Sequence, residues 1–137
     1  MKELTRVNHI GLRVSDLEKA RSFYSKLGFE FIAGPIGPEP VAIMEHPSGI
    51  NINFILNANQ GSKNNILMEG PQKYTGYTHV ALEVTDADAV LSQLSSLDIP
   101  LSGEPHRVST GLSFFVRDPD DNVIEFIEYT GLESLKQ

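Results

Sequence analysis

Two stretches of the chain share one pattern of apolar and polar positions. Residues 7–16 read Val-Asn-His-Ile-Gly-Leu-Arg-Val-Ser-Asp, and residues 77–86 read Tyr-Thr-His-Val-Ala-Leu-Glu-Val-Thr-Asp. The alternation of apolar residues predicts a half-buried β-strand in each stretch. Because the pattern recurs at an offset of 70 residues, the chain is predicted to be an internal repeat.

A helix is predicted after each of these strands. Ser15 with Glu18, and Thr85 with Asp88, have the spacing of a capping box at a helix start. Apolar residues then recur at helical spacing. They are Leu17, Ala20, Phe23, Tyr24 and Leu27 in the first helix, and Ala87, Val90, Leu91, Leu94 and Leu97 in the second. Each predicted helix is therefore amphipathic.

Three more strands are predicted after each helix. Short apolar runs at residues 29–32 and 99–101 predict the next strand, and Gly- and Pro-rich turns then separate it from two others. The last strand repeats as well, because residues 46–55 align with residues 118–127 at an offset of 72. Each half thus reads β-α-β-β-β, which predicts an α+β fold.

The predicted organisation is one domain, residues 1–137, made of two modules at about residues 5–57 and 76–130. A module of roughly 55 to 60 residues buries too little surface to stand alone. Residues 58–75 are rich in Asn, Gly, Ser, Lys and Gln and are predicted to be a linker. This linker and the loop at residues 34–40 are expected to border a binding cleft.

Composition narrows the possible functions. With a formal charge of −7 and acidic residues scattered along 137 positions, nucleic acid and anionic membranes are disfavoured as partners, which leaves small molecules. The chain has no cysteine, so thiolate metal ligands and cysteine nucleophiles are excluded. Neither a signal peptide nor a membrane-spanning apolar run is present, so a cytoplasmic protein is expected.

Histidine occupies the third position of both repeated strands. A single histidine there would most often be a core or interface residue satisfied by hydrogen bonds. The chain has only four histidines, so a chance match of His9 with His79 is uncommon. The match favours a shared role such as metal binding.

Glu125 lies in an apolar strand, and its counterpart in the repeat is Asn53. An unpaired carboxylate pointing inward is costly, so Glu125 either faces solvent or has a compensating partner. Together with His9 and His79 it forms a three-ligand set that leaves coordination positions open. Such a set suits a divalent ion of Fe, Mn, Zn, Ni or Co.

These motifs resemble the vicinal oxygen chelate superfamily, which includes glyoxalase I, methylmalonyl-CoA epimerase, extradiol dioxygenases, fosfomycin-resistance enzymes and bleomycin-binding proteins. The resemblance covers about residues 5–130 and rests on four segments: residues 8–12, 23–29, 78–82 and 118–125. It implies a cup-shaped mixed sheet, a homodimer, and metal ligands in the first and last strands of each module. Those positions hold His9, Asn53, His79 and Glu125. Glyoxalase I enzymes usually have a carboxylate where this chain has Asn53, a weaker and neutral ligand.

The resemblance leaves three activities open. The leading one is a glyoxalase-like lyase or isomerase, in which the metal polarises vicinal oxygens of a small substrate, stabilises an enediolate and leaves Glu125 to ligate or to shuttle a proton. The second is an extradiol dioxygenase, although Phe115 replaces a substrate-binding tyrosine of that pattern and Asp121 a glycine. The third is a metal-free protein that sequesters a ligand, as bleomycin-resistance proteins do. His106, in a predicted polar loop, is either an acid–base residue or a solvated side chain.

Overall fold

The structure is a computed structural model that describes residues 1–59 and 65–136. It divides into two units, Met1–Lys63 and Asn64–Gln137. In the described residues, no helix has the length and apolar character that crossing a membrane requires.

The first unit contains β1 (Ile10–Arg13), α1 (Leu17–Lys26), β2 (Glu30–Ile36), β3 (Val41–Glu45) and β4 (Asn51–Ile55). Its sheet has the order β1-β4-β3-β2, with β1 parallel to β4 and the other pairs antiparallel. The Tyr24 ring on α1 lies 5.4 Å from the Phe54 ring on β4, so α1 packs on the Phe54 face of the sheet. The core of this unit lies between the two.

The second unit repeats this arrangement with β5 (His79–Glu83), α2 (Ala87–Ser96), β6 (His106–Val108), β7 (Gly111–Arg117) and β8 (Val123–Tyr129). Its sheet has the order β5-β8-β7-β6, and β5 is parallel to β8. Alternate residues of β7 and β8 are fully buried, among them Phe114, Val116 and Ile124. The predicted α+β class and the two β-α-β-β-β units are confirmed.

Each helix begins one residue later than the predicted capping boxes. Asp16 caps α1 by accepting a hydrogen bond from the Lys19 N–H, and Asp86 caps α2 by accepting from the Ala89 N–H. A carboxylate is a stronger acceptor than a hydroxyl and also interacts favourably with the positive end of the helix dipole. Capping by Ser15 and Thr85 was therefore the wrong prediction.

Two predictions need correction: the strand at residues 99–101 and the loop at residues 34–40. The strand predicted at residues 99–101 is absent, because Pro100 has no N–H to donate, and the strand instead forms at His106–Val108. In the first unit β2 continues to Ile36, into the predicted loop. A Cβ at Gly34 would lie 2.5 Å from the Ala42 Cα, so glycine is what allows β2 and β3 to approach there.

Part of the predicted linker is bound to the second unit. The Asn65 side-chain amide donates to the Asp121 carbonyl oxygen at 3.1 Å, and the Arg117 guanidinium forms an ion pair with Glu69 at 2.7 Å. Residues 65–69 therefore lie against the β7–β8 hairpin. Residues 60–64 of the predicted linker lie outside the described residues.

Candidate metal centre

The candidate site in the second unit is built on the sheet face opposite to α2. Strand pairing sets Ala81, Glu125 and Phe115 side by side across β5, β8 and β7, and it sets His79 beside Val123. Because side chains of a strand alternate between faces, these residues share one face, and Ile124 and Phe126 lie on the other. We call the face with Glu125, and the equivalent face of the first unit with Asn53, the ligand face.

His79 and Glu125 are in direct contact on this ligand face. The His79 Nε2 atom lies 3.1 Å from the Glu125 Oε1 atom. The Glu125 side chain is 15% exposed and that of His79 is 36% exposed, so the pair is partly withdrawn from water. Glu125 thus has the compensating partner that its apolar strand requires.

Two neighbours orient the His79 ring. Its Nδ1 atom lies 2.9 Å from the Thr78 hydroxyl oxygen, and its ring packs edge-on against the Phe115 ring at a centroid distance of 5.8 Å. Because Nδ1 is engaged by Thr78, Nε2 is the atom directed at Glu125 or at a ligand. Thr78 and Phe115 were not predicted as neighbours of His79.

The spacing of the two donor atoms fits a shared metal ion. Two ligand atoms at about 2.1 Å from one ion lie roughly 3.0 to 3.4 Å apart in octahedral or tetrahedral geometry. The 3.1 Å between His79 and Glu125 falls in that range, although it equally fits a hydrogen bond. Imidazole and carboxylate are also the donor types that divalent transition metals prefer.

The first unit carries the matching positions with neutral donors. The His9 Nδ1 atom lies 2.8 Å from the Asn8 side-chain oxygen, which can only accept, so Nδ1 is the donor of this hydrogen bond and Nε2 is the ring nitrogen left for a ligand. Asn53 pairs with Gly11 as Glu125 pairs with Ala81. The Asn53 Oδ1 atom is buried and has no hydrogen-bond partner among the described residues. An orphaned oxygen of this kind fits a metal ligand.

Among residues 1–59 and 65–136, no group of three His, Asp or Glu side chains lies close enough together to hold a metal ion. His79 and Glu125 are the predicted ligands that the structure brings together. Asn53 lies on the ligand face of the first unit, and His9 is the residue immediately before β1. The four-residue ligand set therefore stays a prediction.

His106 is not a neighbour of Glu125. It begins β6 rather than lying in a loop, and its pairing with Ser113 puts it on the ligand face. However, β7 lies between β6, which carries His106, and β8, which carries Glu125. The two strands are therefore two strand spacings apart, about 10 Å. Its role in acid–base chemistry stays a prediction.

Comparison with known proteins places the chain in a family. Residues 6–126 match the model of the Glyoxalase/Bleomycin resistance protein/Dioxygenase superfamily. The chain belongs to this superfamily. Mitochondrial methylmalonyl-CoA epimerase from Bos taurus is 30% identical over 117 residues, which are 77% of this chain and 61% of the epimerase. The chain thus spans less than two thirds of the length of that relative.

Solved structures of the superfamily share the fold. The crystal structure of SMU.1112c is 27% identical, with a TM-score of 0.75 over 92% of this chain and 100% of that one. A mutant of the fosfomycin resistance protein FosX from Listeria monocytogenes, complexed with Mn(II) and 1S,2S-dihydroxypropylphosphonic acid, has a TM-score of 0.71 at 21% identity, over 98% of this chain and 99% of that one. The superfamily therefore includes proteins that bind a divalent metal and a small ligand.

Proposed function

We propose that this chain is a metal-dependent enzyme of isomerase or lyase type, which moves a proton on a small substrate whose neighbouring oxygens bind the metal. The contact of His79 with Glu125 on the ligand face carries the proposal, because it sets a metal-binding imidazole beside a carboxylate that can exchange a proton. The similarity to an epimerase supports the same reaction class.

The proposed ligands are His9, Asn53, His79 and Glu125, which provide two imidazoles, one amide oxygen and one carboxylate. The ion is Fe, Mn, Zn, Ni or Co, since all of these accept nitrogen and oxygen donors. When bound, it supplies Lewis-acid stabilisation for the negative charge that develops on the substrate oxygens.

The protein groups then divide the remaining work. Glu125 accepts a proton from the substrate carbon next to the carbonyl group and returns it, so that the substrate is isomerised without net gain or loss of atoms. Thr78 and Phe115 hold the His79 ring in one orientation, which fixes the Glu125 oxygen at 3.1 Å from it. His106 is proposed to exchange a proton with a more distant part of the substrate.

Phe115 favours proton transfer over oxygen chemistry. Its ring contacts His79 and lies beside Glu125, where a tyrosine would add a hydroxyl group to the site. Phe115 offers no such donor to a catechol substrate. The dioxygenase alternative therefore has less support from the ligand face than the isomerase has.

Solvent proton exchange tests the proposal. The metal-free protein is loaded with Mn, Co, Ni or Zn, or with Fe(II) without oxygen, and is incubated in D2O with methylmalonyl-CoA or with the adduct of methylglyoxal and glutathione. Metal-dependent deuterium incorporation, read by NMR, is expected, and Glu125→Gln should slow it by about 10² to 10⁴-fold. The matched control is Glu83→Gln, an exposed glutamate on the same face.

Two results would contradict the proposal. Oxygen uptake with catechol by the Fe(II) protein, without proton exchange on either substrate, would establish the dioxygenase alternative. Tight binding of bleomycin by protein that takes up no metal would establish the ligand-sequestering alternative.

A further inference from the structure

The ligand face of the first unit carries a second orphaned oxygen. Among the described residues, the side-chain oxygens of Asn51 and Asn53 are both buried and lack a hydrogen-bond partner. The two residues alternate along β4 and so lie on the same face, about 6.7 Å apart. A buried acceptor without a partner is destabilising, so each of these two oxygens calls for one, either a metal ion or a hydrogen-bond donor.

Strand pairing puts Asn51 next to His9. Ile10 of β1 pairs with Ile52 of β4, so the same register continued by one residue sets His9 beside Asn51. In the second unit the corresponding neighbour of His79 is Val123, which is 4% exposed. The fold therefore accepts an apolar side chain at this position, and the amide of Asn51 is not needed to build the sheet.

We propose that Asn51 binds the substrate, with its side-chain oxygen accepting a hydrogen bond from a hydroxyl or N–H group adjacent to the substrate's metal-binding oxygens. This inference rests on the proposed function and adds a substrate class to it. The substrate is a compound with two neighbouring oxygens and a hydrogen-bond donor on the next atom. Asn53 would hold the metal, whereas Asn51 selects the substrate.

The first test measures the stability of metal-free protein without any ligand. Asn51→Leu keeps the size of the side chain and removes the orphaned oxygen, so its Tm should equal or exceed that of the wild type. The mirror variant Val123→Asn buries a new amide at the same position of the second unit, and its Tm should fall. A clear fall in Tm for Asn51→Leu would overturn the inference, because the oxygen would then have a structural partner.

The second test uses two probes that differ only in the substituent on nitrogen, which is hydrogen in one and methyl in the other. Acetohydroxamate and N-methylacetohydroxamate share the same pair of chelating oxygens, but only the first carries an N–H donor. The Mn(II)-loaded wild type should bind acetohydroxamate more tightly, and Asn51→Leu should weaken that binding roughly three- to tenfold, the value of one hydrogen bond. Binding of N-methylacetohydroxamate, and of Mn(II) itself, should change less than about twofold, since neither uses the Asn51 oxygen.

The outcomes separate this inference from the proposed function. Equal weakening of both probes, or unchanged binding of acetohydroxamate, overturns the role of Asn51 and leaves the metal centre intact. Loss of Mn(II) affinity in Asn51→Leu also overturns it, since Asn51 would then be a metal ligand. Failure of the wild type to bind Mn(II) or either probe overturns the subsite together with the proposed function.

Discussion

The two ligand faces have the same strand register but differ in charge. The first unit presents His9, Asn51 and Asn53 at positions where the second presents His79, Val123 and Glu125. The duplicated backbone thus fixes where these side chains lie, whereas the residue types decide what each face can bind. Of the proposed ligands, Glu125 is negatively charged, whereas His9 and Asn53 offer nitrogen and amide-oxygen donors.

The two units also use different residues at two equivalent turns with positive φ angles. Gly28 and Gly49 adopt positive φ angles of 95° and 99° in the first unit, and their counterparts Asp98 and Asp121 have φ of 57° and 67°. Aspartate tolerates this conformation better than most residues do. The Arg117 guanidinium bonds to the carboxylate of Asp121 at 3.0 Å. The aspartate that departs from the dioxygenase pattern is therefore held in place by a nearby cation.

The largest effect is expected from making the second unit neutral. Glu125→Gln gives both ligand faces an amide and removes the charged ligand, so metal affinity should fall more than about 100-fold. Isothermal titration with Mn(II) measures this, with Glu83→Gln as the control. Near wild-type affinity in Glu125→Gln would show that the charge difference between the faces has no part in metal binding.

Substitutions of Thr78 and Asn8, the residues before His79 and His9, test whether these side chains orient the histidine rings. Thr78→Val removes the hydroxyl at 2.9 Å from the His79 Nδ1 atom, and metal affinity should fall about 10- to 100-fold. Asn8→Ala removes the equivalent partner of His9 and should have an effect of similar size. The same Mn(II) titration measures both variants. If neither changes affinity, the histidines are not oriented by these contacts.

Adding a negative charge to the ligand face of the first unit should raise metal affinity, the opposite of the effect expected for Glu125→Gln. Asn53→Asp replaces the buried amide oxygen with a carboxylate, which should raise Mn(II) affinity roughly tenfold. The metal-free variant should have a lower Tm than the wild type, because an unpaired carboxylate is buried. Asn59→Asp, an exposed position, is the matched control. Unchanged affinity in Asn53→Asp would exclude Asn53 from the ligand set.

The smallest expected effect is on stability, and it concerns the hydrogen bond between Glu128 and Ala87 in the second unit. The Glu128 carboxylate accepts a hydrogen bond from the Ala87 N–H at 3.0 Å and so caps α2 together with Asp86, whereas the aligned residue of the first unit is Leu56. Glu128→Ala should lower the free energy of unfolding by about 1 kcal/mol. Urea denaturation measures this, and Glu133→Ala is the control because that glutamate is exposed and lies outside the sheet.

The repeat made most of the fold predictable, because the same strand and helix patterns occur twice. The β6 strand was missed because it has three residues and Val108 is the apolar one among them, which is too little for a periodic signal. The apolar run at 99–101 was misread because Ile99 is buried without being in a strand. Apolar content therefore predicted burial at Ile99 but not strand pairing.

For the candidate site, the sequence left two alternatives for Glu125, exposure to solvent or a compensating partner, and could not give the partner's geometry. The contacts of Thr78 and Phe115 with His79 depend on side-chain conformations that no pattern encodes. Asn51 is a different case. Its alignment with Val123 was visible in the repeat, and that exchange of an amide for an apolar residue was the available signal.

Binding of one divalent ion by His9, Asn53, His79 and Glu125 is the core of the proposed function, and metal stoichiometry tests it most directly. Untagged protein reconstituted with Mn(II) is analysed by native mass spectrometry beside His9→Ala, His79→Ala and His106→Ala. One ion per chain is expected in the wild type and in His106→Ala, and loss of the ion is expected in both His9→Ala and His79→Ala. Full occupancy in His9→Ala, or no bound ion in the wild type, would contradict it.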